Sequence, residues 1–539
     1  MLSPTSATAR ILFVVTLSGS LGLSAVQAGA QVCEKLGGLN LDDTTVTSAQ
    51  TVASGEFTRP AGPFDQQEDT LGAFKRLPAF CRVTAEIKPS KDSDIKVEVW
   101  MPVSGWNGKY LSLGNGGFAG SIIYSALASG VEHGYAMAST DTGHTGTPTD
   151  AKWALGHPEK IKDFGYRAIH EMTVKAKAII QAFYGKNPEH SYFASCSNGG
   201  RQGLMEAQRF PTDYDGIVAG APANFFTHLL VGGVWNLQAM QNNPESYIPA
   251  AKIPAINDAV LQACDAKDGV RDGIVNDPRE CHFDPAILLC KDADNSCLTA
   301  PQVTALKKIY TGPKNSKGEQ IHPGFEPGGE AGMGGWALWI TGSAPNRSLD
   351  FAFSTNFFGN MVFDDPAWDF KKFNFDSDVK TADEKQAANL NATSPDLKAF
   401  KARGGKLIIY HGWSDAAIQP RNAIDYYNSV EKRLGASETN AFVRLYMVPG
   451  MQHCGGGPGP TSLGGFGAPG DPQHNIYSAL ELWVEKGEAP GPIIATKYND
   501  PMDPKKGIKM TRPLCPFPEV AKYKGTGDAN DAANFTCSK

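Results

Sequence analysis

No two of the ten cysteines in this 539-residue chain stand at C-x-x-C spacing, which excludes the common zinc-ribbon and dithiol-redox motifs. Charge of one sign is not in excess either. Fifty Lys and Arg face 56 Asp and Glu with no run of either, so there is no electrostatic footprint for nucleic acid or an anionic membrane. Beyond the N-terminus no segment approaches the ~20 apolar residues of a membrane span. His170 and Glu171 have no second histidine at ligand spacing and are expected to be solvated. The balance favours a small, uncharged substrate.

Turn-forming residues are plentiful: 58 Gly and 36 Pro suit an α/β fold with long loops better than a helical bundle. The length exceeds one compact core and implies a catalytic domain with a large insertion or a second domain. Arg10, the apolar run from Ile11 to Val26 and the small residues around Ala28 and Ala30 read as a signal peptide over residues 1–30. Export to a periplasm or to the medium follows, and in that oxidising setting an even number of cysteines predicts disulfides.

Residues 31 to 90 are turn-rich and too irregular to assign. Alternating apolar residues then predict strands at Ile95–Pro102, Lys109–Leu113 and Tyr135–Ser139. The second runs into the glycine-rich loop Gly114–Gly120, whose backbone N–H groups suit a developing negative charge, although an ordinary tight turn would look the same. Asp141 is open as a polar lining of the cleft, and His144, a loop histidine without a located partner, is expected at the surface. Residues 164–184 have helical spacing with Gly185 as the stop.

The chain is organised around Tyr192–Gly203, in which an apolar strand enters a small-residue turn carrying Ser197 and continues into a helix. That is the pattern of a nucleophile elbow. A strand at 216–222 follows, and right-handed crossovers assemble this order into a parallel sheet. Regular alternation then lapses from Ala223 to Leu397 and resumes at Lys406–Gly412, which marks residues 223–397 as an inserted lid domain. The catalytic domain comprises 31–222 and 398–539, with later elements at 421–434, 442–448 and 475–486.

Hydrolysis by serine needs a base, a carboxylate to orient it and N–H donors for the oxyanion. Asp415 lies three residues beyond Gly412, and His453 five beyond Val448. Both stand at strand ends, on the sheet edge that must also present Ser197. Cys196 precedes the serine and Cys454 follows the histidine. Bridged, they would tie nucleophile to base; unbridged, each is a buried thiol.

Cys196-Ser197-Asn198-Gly199-Gly200, Asp415 and His453-Cys454, with a long insertion between serine and acid, resemble the tannase and feruloyl esterase family of exported serine esterases. That family also includes hydrolases of mono(2-hydroxyethyl) terephthalate. The resemblance spans essentially the whole mature chain, with Ser195 where such elbows commonly carry glycine. It implies an α/β-hydrolase fold with a large inserted lid domain, and hydrolysis of aromatic (phenolic) acid esters through an acyl-enzyme on Ser197, with Asp415 and His453 completing the triad. Oxyanion donors would be the backbone N–H of Asn198 and one from Gly116 or Gly117.

A structural Ca2+ in the lid is also implied, held by Asp265, Asp268 and Asp272 with the carbonyls of Val270 and Ile274. Without the resemblance this stretch reads as an acidic, solvated turn. The expected disulfides are Cys33–Cys81, Cys196–Cys454, Cys264–Cys281, Cys290–Cys297 and Cys515–Cys537. Among the lid aromatics Trp339, Phe353, Phe357, Phe358 and Trp368, each stands equally for pocket wall or lid core; Phe353, Phe357 and Ile418 are the expected pocket contacts. No organic cofactor, nucleic acid or membrane partner is implied. The alternatives are a terephthalate monoester hydrolase, for which Arg347 would have to meet the free carboxylate, and a non-catalytic binding protein of the same fold.

Overall fold

The computed structural model describes residues 32–60, 72–291, 297–468 and 470–539; the expected signal peptide lies outside them. Nine strands form one sheet: β1 (Thr44–Val52), β2 (Phe80–Ile87), β3 (Ile95–Pro102), β4 (Lys109–Leu113), β5 (Ala136–Thr140), β6 (His190–Cys196), β7 (Gly216–Gly220), β8 (Lys406–Gly412) and β9 (Val443–Val448). Their order is β1-β2-β3-β5-β4-β6-β7-β8-β9. The pairs from β5 through β4 to β9 are parallel, and β1, β2 and β3 complete an antiparallel edge. β3 is the strand expected at Ile95–Pro102, whereas β1 and β2 fall in the stretch the sequence left unassigned. β1 is rich in Thr and Gln and half exposed, so it carries no apolar alternation to read.

Successive residues of the central strands feed opposite faces, as the two-residue repeat of a strand requires. Ile217 and Ile409 join one core with Ile179, Ile180, Leu204 and Tyr427; Val218 and Ile408 join another with Leu480 and Trp483. The first core belongs to helices α1 (Ala168–Tyr184), α2 (Asn198–Arg209) and, far along the chain, Arg421–Leu434; the second to Ile476–Lys486. The three-layer arrangement is that of an α/β-hydrolase fold. Gly185 ends α1 with φ 75°, and Asn475 caps the last of these helices by accepting the N–H groups of Tyr477 and Ser478.

Three polar residues near this frame depart from the sequence reading. His144 is buried: it stacks on Trp153 at 3.8 Å and donates from Nε2 to Phe118 O at 2.7 Å. Asp141 is buried too and accepts from the N–H groups of Lys96 and Gly143 instead of lining a cleft. His170 is not simply solvated, for it stacks on Phe210 at 3.9 Å and meets Asp213 at 2.7 Å. Each partner lies near in space and was invisible along the chain.

Residues 221–405 supply no strand to the sheet; most of their buried side chains form two further cores, one of them shared with Phe118, Phe164 and Ile418, while Ala392, Leu397 and Phe400 join the sheet core. Their longest helix is α3 (Phe226–Gln241), which contacts α4 (Leu349–Asn356). The approach of α2 to β7 is close enough that a Cβ on Gly200 would overlap Gly220 O and Pro222 Cα. Gly200→Ala is therefore expected to destabilise the protein by roughly 2 kcal/mol, read as a lowered urea midpoint. An unchanged midpoint would mean that α2 is free to move off the sheet.

Candidate active site

β6 ends at Cys196, and Ser197 turns the chain into α2 with φ 68° and ψ −127°. This left-handed backbone is held from both sides: Ser197 N–H donates to Gly220 O at 2.9 Å, and its carbonyl accepts from Ala223 and Arg201, each at 3.1 Å. Ser195 replaces the small residue usual two positions before such a serine. Gly199 compensates, since any Cβ there would strike Ser195 Oγ.

Asn198 is the first residue of α2, so its N–H has no carbonyl one turn earlier to bond. The β4 loop runs alongside. Of the two candidate glycines, Gly117 lines the same cavity as Ser197 and Asn198 and Gly116 does not; the carbonyl of Gly116 instead accepts from Ala119. Gly117 has φ 54° and a Cβ there would overlap Pro148, so no other residue fits. Asn115 joins loop to helix by taking the Gln202 amide oxygen on its N–H at 2.9 Å, while its carbonyl accepts from Asn198 Nδ2 at 3.3 Å.

Behind Asn198 lies Arg201, fully buried and, among the described residues, without a carboxylate partner. It donates to Asn198 Oδ1 and to the carbonyls of Phe164, Gly165 and Leu390. The faces of Phe164 and Phe226 lie 4.9 and 5.2 Å from it. Burial pushes the guanidinium down to about 9.

On the other side of the serine, Asp415 Oδ2 meets His453 Nδ1 at 2.9 Å and His411 Nε2 at 3.2 Å. Its Oδ1 accepts the N–H groups of Ala417 at 2.8 Å and Ile418 at 3.0 Å. Burial alone would push this carboxyl up; the charge of His453 and the bonds from both histidines outweigh it and hold the group well below the ordinary carboxylate range. His411, the last residue but one of β8 and fully buried, had no sequence signal beyond a core histidine.

Ser197 and His453 line one cavity with Gly117, Asn198, Phe226, Leu230, Trp339, Asp350, Phe353 and Ile418 among others. It holds about 520 Å3 of space between atoms when its open mouth is counted. Trp339 sets its edge against His453 at 5.1 Å and stacks on Phe353. Phe357, expected here, is wholly buried in the insertion core, because Phe226 packs against it at 5.8 Å and takes the cavity wall instead. Phe358 and Trp368 stack on each other in that same core. Arg347 is exposed and outside the lining.

The five disulfides present are Cys33–Cys81, Cys196–Cys454, Cys264–Cys281, Cys290–Cys297 and Cys515–Cys537. The second joins residues beside Ser197 and His453 across a separation of 258 residues, with its Cα atoms 5.9 Å apart.

In the 265–274 loop, Asp265 accepts from the N–H groups of Asp272 and Gly273, Asp268 from Val270, and Asp272 from Ile274 and Arg512. Burial, with the neighbouring carboxylates adding to it, pushes Asp268 up to about 6, and Asp272 is raised as well. The three carboxylates are half-buried on one short loop, oxygen donors of the kind a hard cation takes. Three ligand side chains also converge within 4.8 Å at His170, Glu206 and Asp213, apart from the Ser197 cavity.

The whole-chain comparisons agree with this geometry. The family described as "Tannase and feruloyl esterase" matches residues 81–538. An uncharacterised esterase of Xanthomonas campestris pv. campestris is 44% identical over 97% of this chain and 94% of its own length. The mono(2-hydroxyethyl) terephthalate hydrolase of Piscinibacter sakaiensis is 34% identical over 95% and 92%. The crystal structure of feruloyl esterase B from Aspergillus oryzae, 30% identical, superposes with a TM-score of 0.84 over 94% of this chain and 99% of that one. The chain belongs to the tannase and feruloyl esterase family of carboxylic ester hydrolases.

Proposed function

We propose that this protein is an exported serine esterase that cleaves esters of aromatic, phenolic acids. The observation that carries the reading is the shared cavity of Ser197 and His453, with Asp415 bonded to the far nitrogen of that histidine. Ser197 Oγ attacks the ester carbonyl while His453 Nε2 takes its proton. Asp415 holds Nδ1–H, which fixes the tautomer and the ring orientation and stabilises the imidazolium. The carbonyl oxygen gains charge facing the N–H groups of Asn198 and Gly117. His453 then protonates the leaving alcohol, and water, activated by the same histidine, releases the acid from the acyl-enzyme.

Residues 223–397 act as the lid, bringing Trp339 and Phe353 over the acyl group. A flat, apolar wall is what supports an aromatic acid. A terephthalate monoester is less well served, since no Lys or Arg lines the cavity. Export is supported by the N-terminal signal pattern and by the pairing of all ten cysteines; among the described residues no helix is long and apolar enough to cross a membrane. Asp265, Asp268 and Asp272, with the carbonyls of Val270 and Ile274, would hold Ca2+, which would stiffen the lid and take no part in the reaction.

Ser197→Ala should lower kcat on methyl ferulate or methyl gallate by roughly 10^4-fold or more with unchanged thermal stability; activity surviving the substitution would place the nucleophile elsewhere. Because the folded Asp415 carboxyl is depressed, its contribution is present throughout the range above the ordinary carboxylate value and is lost only as pH falls through the depressed one. Asp415→Asn should thus cost about 10^4-fold in kcat, equally at mildly acidic and alkaline pH, and a loss confined to one limb of the pH profile would contradict the assignment.

Replacing Cys196 and Cys454 together by Ser should lower kcat/KM by about 10- to 100-fold while far-UV dichroism stays native in the cold. Parallel loss of both signals would make the bridge a general staple and not a positioning device. Chelation with EGTA should lower the melting temperature by several degrees, reversed by added Ca2+; a melting curve indifferent to chelator would remove the ion from the account.

A further inference from the structure

The lining of the Ser197 cavity is apolar and aromatic along most of its length, yet it includes one acidic residue, Asp350. This side chain is 8% exposed. Its Oδ2 accepts from Asn236 Nδ2 at 2.9 Å, and among the described residues Oδ1 has no hydrogen-bond partner. Oδ1 is not one of the fully enclosed, unpartnered polar atoms of the interior, so it stays accessible to a ligand, and local structure does not require a carboxyl here. The cap of α4 is Ser348, whose Oγ accepts from Phe351 N–H. Ser354, one turn beyond Asp350 and also in the lining, is already committed to Leu230 O at 3.2 Å.

The position of Asp350 is as informative as its chemistry. Helix α3 forms one side of the cavity, which Phe226, Leu229, Leu230 and Gly233 line in turn. Phe226 abuts Arg201 beneath the elbow, and Gly233 lies about 10 Å further along the helix axis. Asp350 is bonded to Asn236, beyond Gly233, and so marks the end of the cavity away from Ser197. An acyl group esterified to Ser197 stays in the cavity after the alcohol departs, with its ring along Trp339 and Phe353 and its far substituent toward Asp350. Burial pushes the Asp350 carboxyl up to about 7, which lets it accept a hydrogen bond from a hydroxyl and, when protonated, donate one.

We propose that Asp350 reads a free hydroxyl on the acyl ring, opposite the ester-bearing arm, and thereby selects phenolic acids against ring ethers and ring carboxylates. A methyl ether removes the donor and adds bulk where the cavity ends. A carboxylate brings like charge to a wall that has no cation to offset it. The inference rests on the reading of Ser197 as nucleophile and refines it from aromatic to hydroxyl-bearing acids.

The test compares kcat/KM of wild type, Asp350→Leu and Asp350→Asn on methyl para-coumarate, its ring methyl ether and monomethyl terephthalate. Wild type should prefer the free hydroxyl over the ether by about 10- to 100-fold. Asp350→Leu should collapse that ratio. Asp350→Asn, which still accepts a hydrogen bond, should keep most of it and raise the relative rate on the terephthalate monoester about tenfold. Turnover of all three esters by wild type without preference, or a ratio unchanged in Asp350→Leu, overturns the role of Asp350 and leaves the esterase standing. Should Asp350→Leu not fold, absence of the terephthalate gain in Asp350→Asn overturns it equally. No turnover of any ester by wild type sinks the esterase reading and this inference together.

Discussion

Holding a serine at φ 68° costs of order 1–3 kcal/mol, and much of the structure exists to keep Ser197 there. Its N–H is captured by the end of β7, its carbonyl by the first residues after β7 and by α2 itself. Those captures need β6 and β7 side by side, in a register that pairs Cys196 with Gly220. The register in turn depends on two layers of core that grip alternate residues of the same strands. A strained turn a few atoms across is therefore underwritten by most of the hydrophobic interior.

Two buried charges flank that turn, and among the described residues neither is paired with a Lys, Arg, Asp or Glu. Arg201 spreads its charge over carbonyl oxygens, an amide oxygen and two aromatic faces. Asp415 is met by two backbone N–H groups and two imidazoles. Both arrangements use groups already in place, which the proposed reaction would not have to reorient as charge moves. Arg201 also grips the side chain of Asn198, whose amide reaches the carbonyl of Asn115, so one guanidinium braces the helix and the glycine loop against each other.

The central strands were legible because residues buried on both faces leave long apolar runs between turns, and the proposed triad because each member stands a few residues past such a run. β1 was not, since an edge strand half open to solvent can be built of Thr, Ser and Gln, and β2, though it alternates buried and half-buried residues, sits in a turn-rich stretch that masked it. His411 hid inside a strand, and nothing in the sequence set Asp350 apart from the other acids of the chain. Phe353 and Phe357 share a helical stripe, and the sequence has no means of knowing that Phe226 comes between the second of them and the cavity. Local pattern reveals which residues are buried; what they are buried against depends on chain hundreds of residues away.

The bridge between Cys196 and Cys454 encloses the entire insertion within a covalent ring of 258 residue steps. The exposed connections of an insertion are where proteases cut first. A single cut anywhere inside the ring opens it without dividing the molecule, because the sulfur atoms still join the piece bearing the serine to the piece bearing the histidine. Damage to the lid and separation of the reacting groups are thereby made independent events.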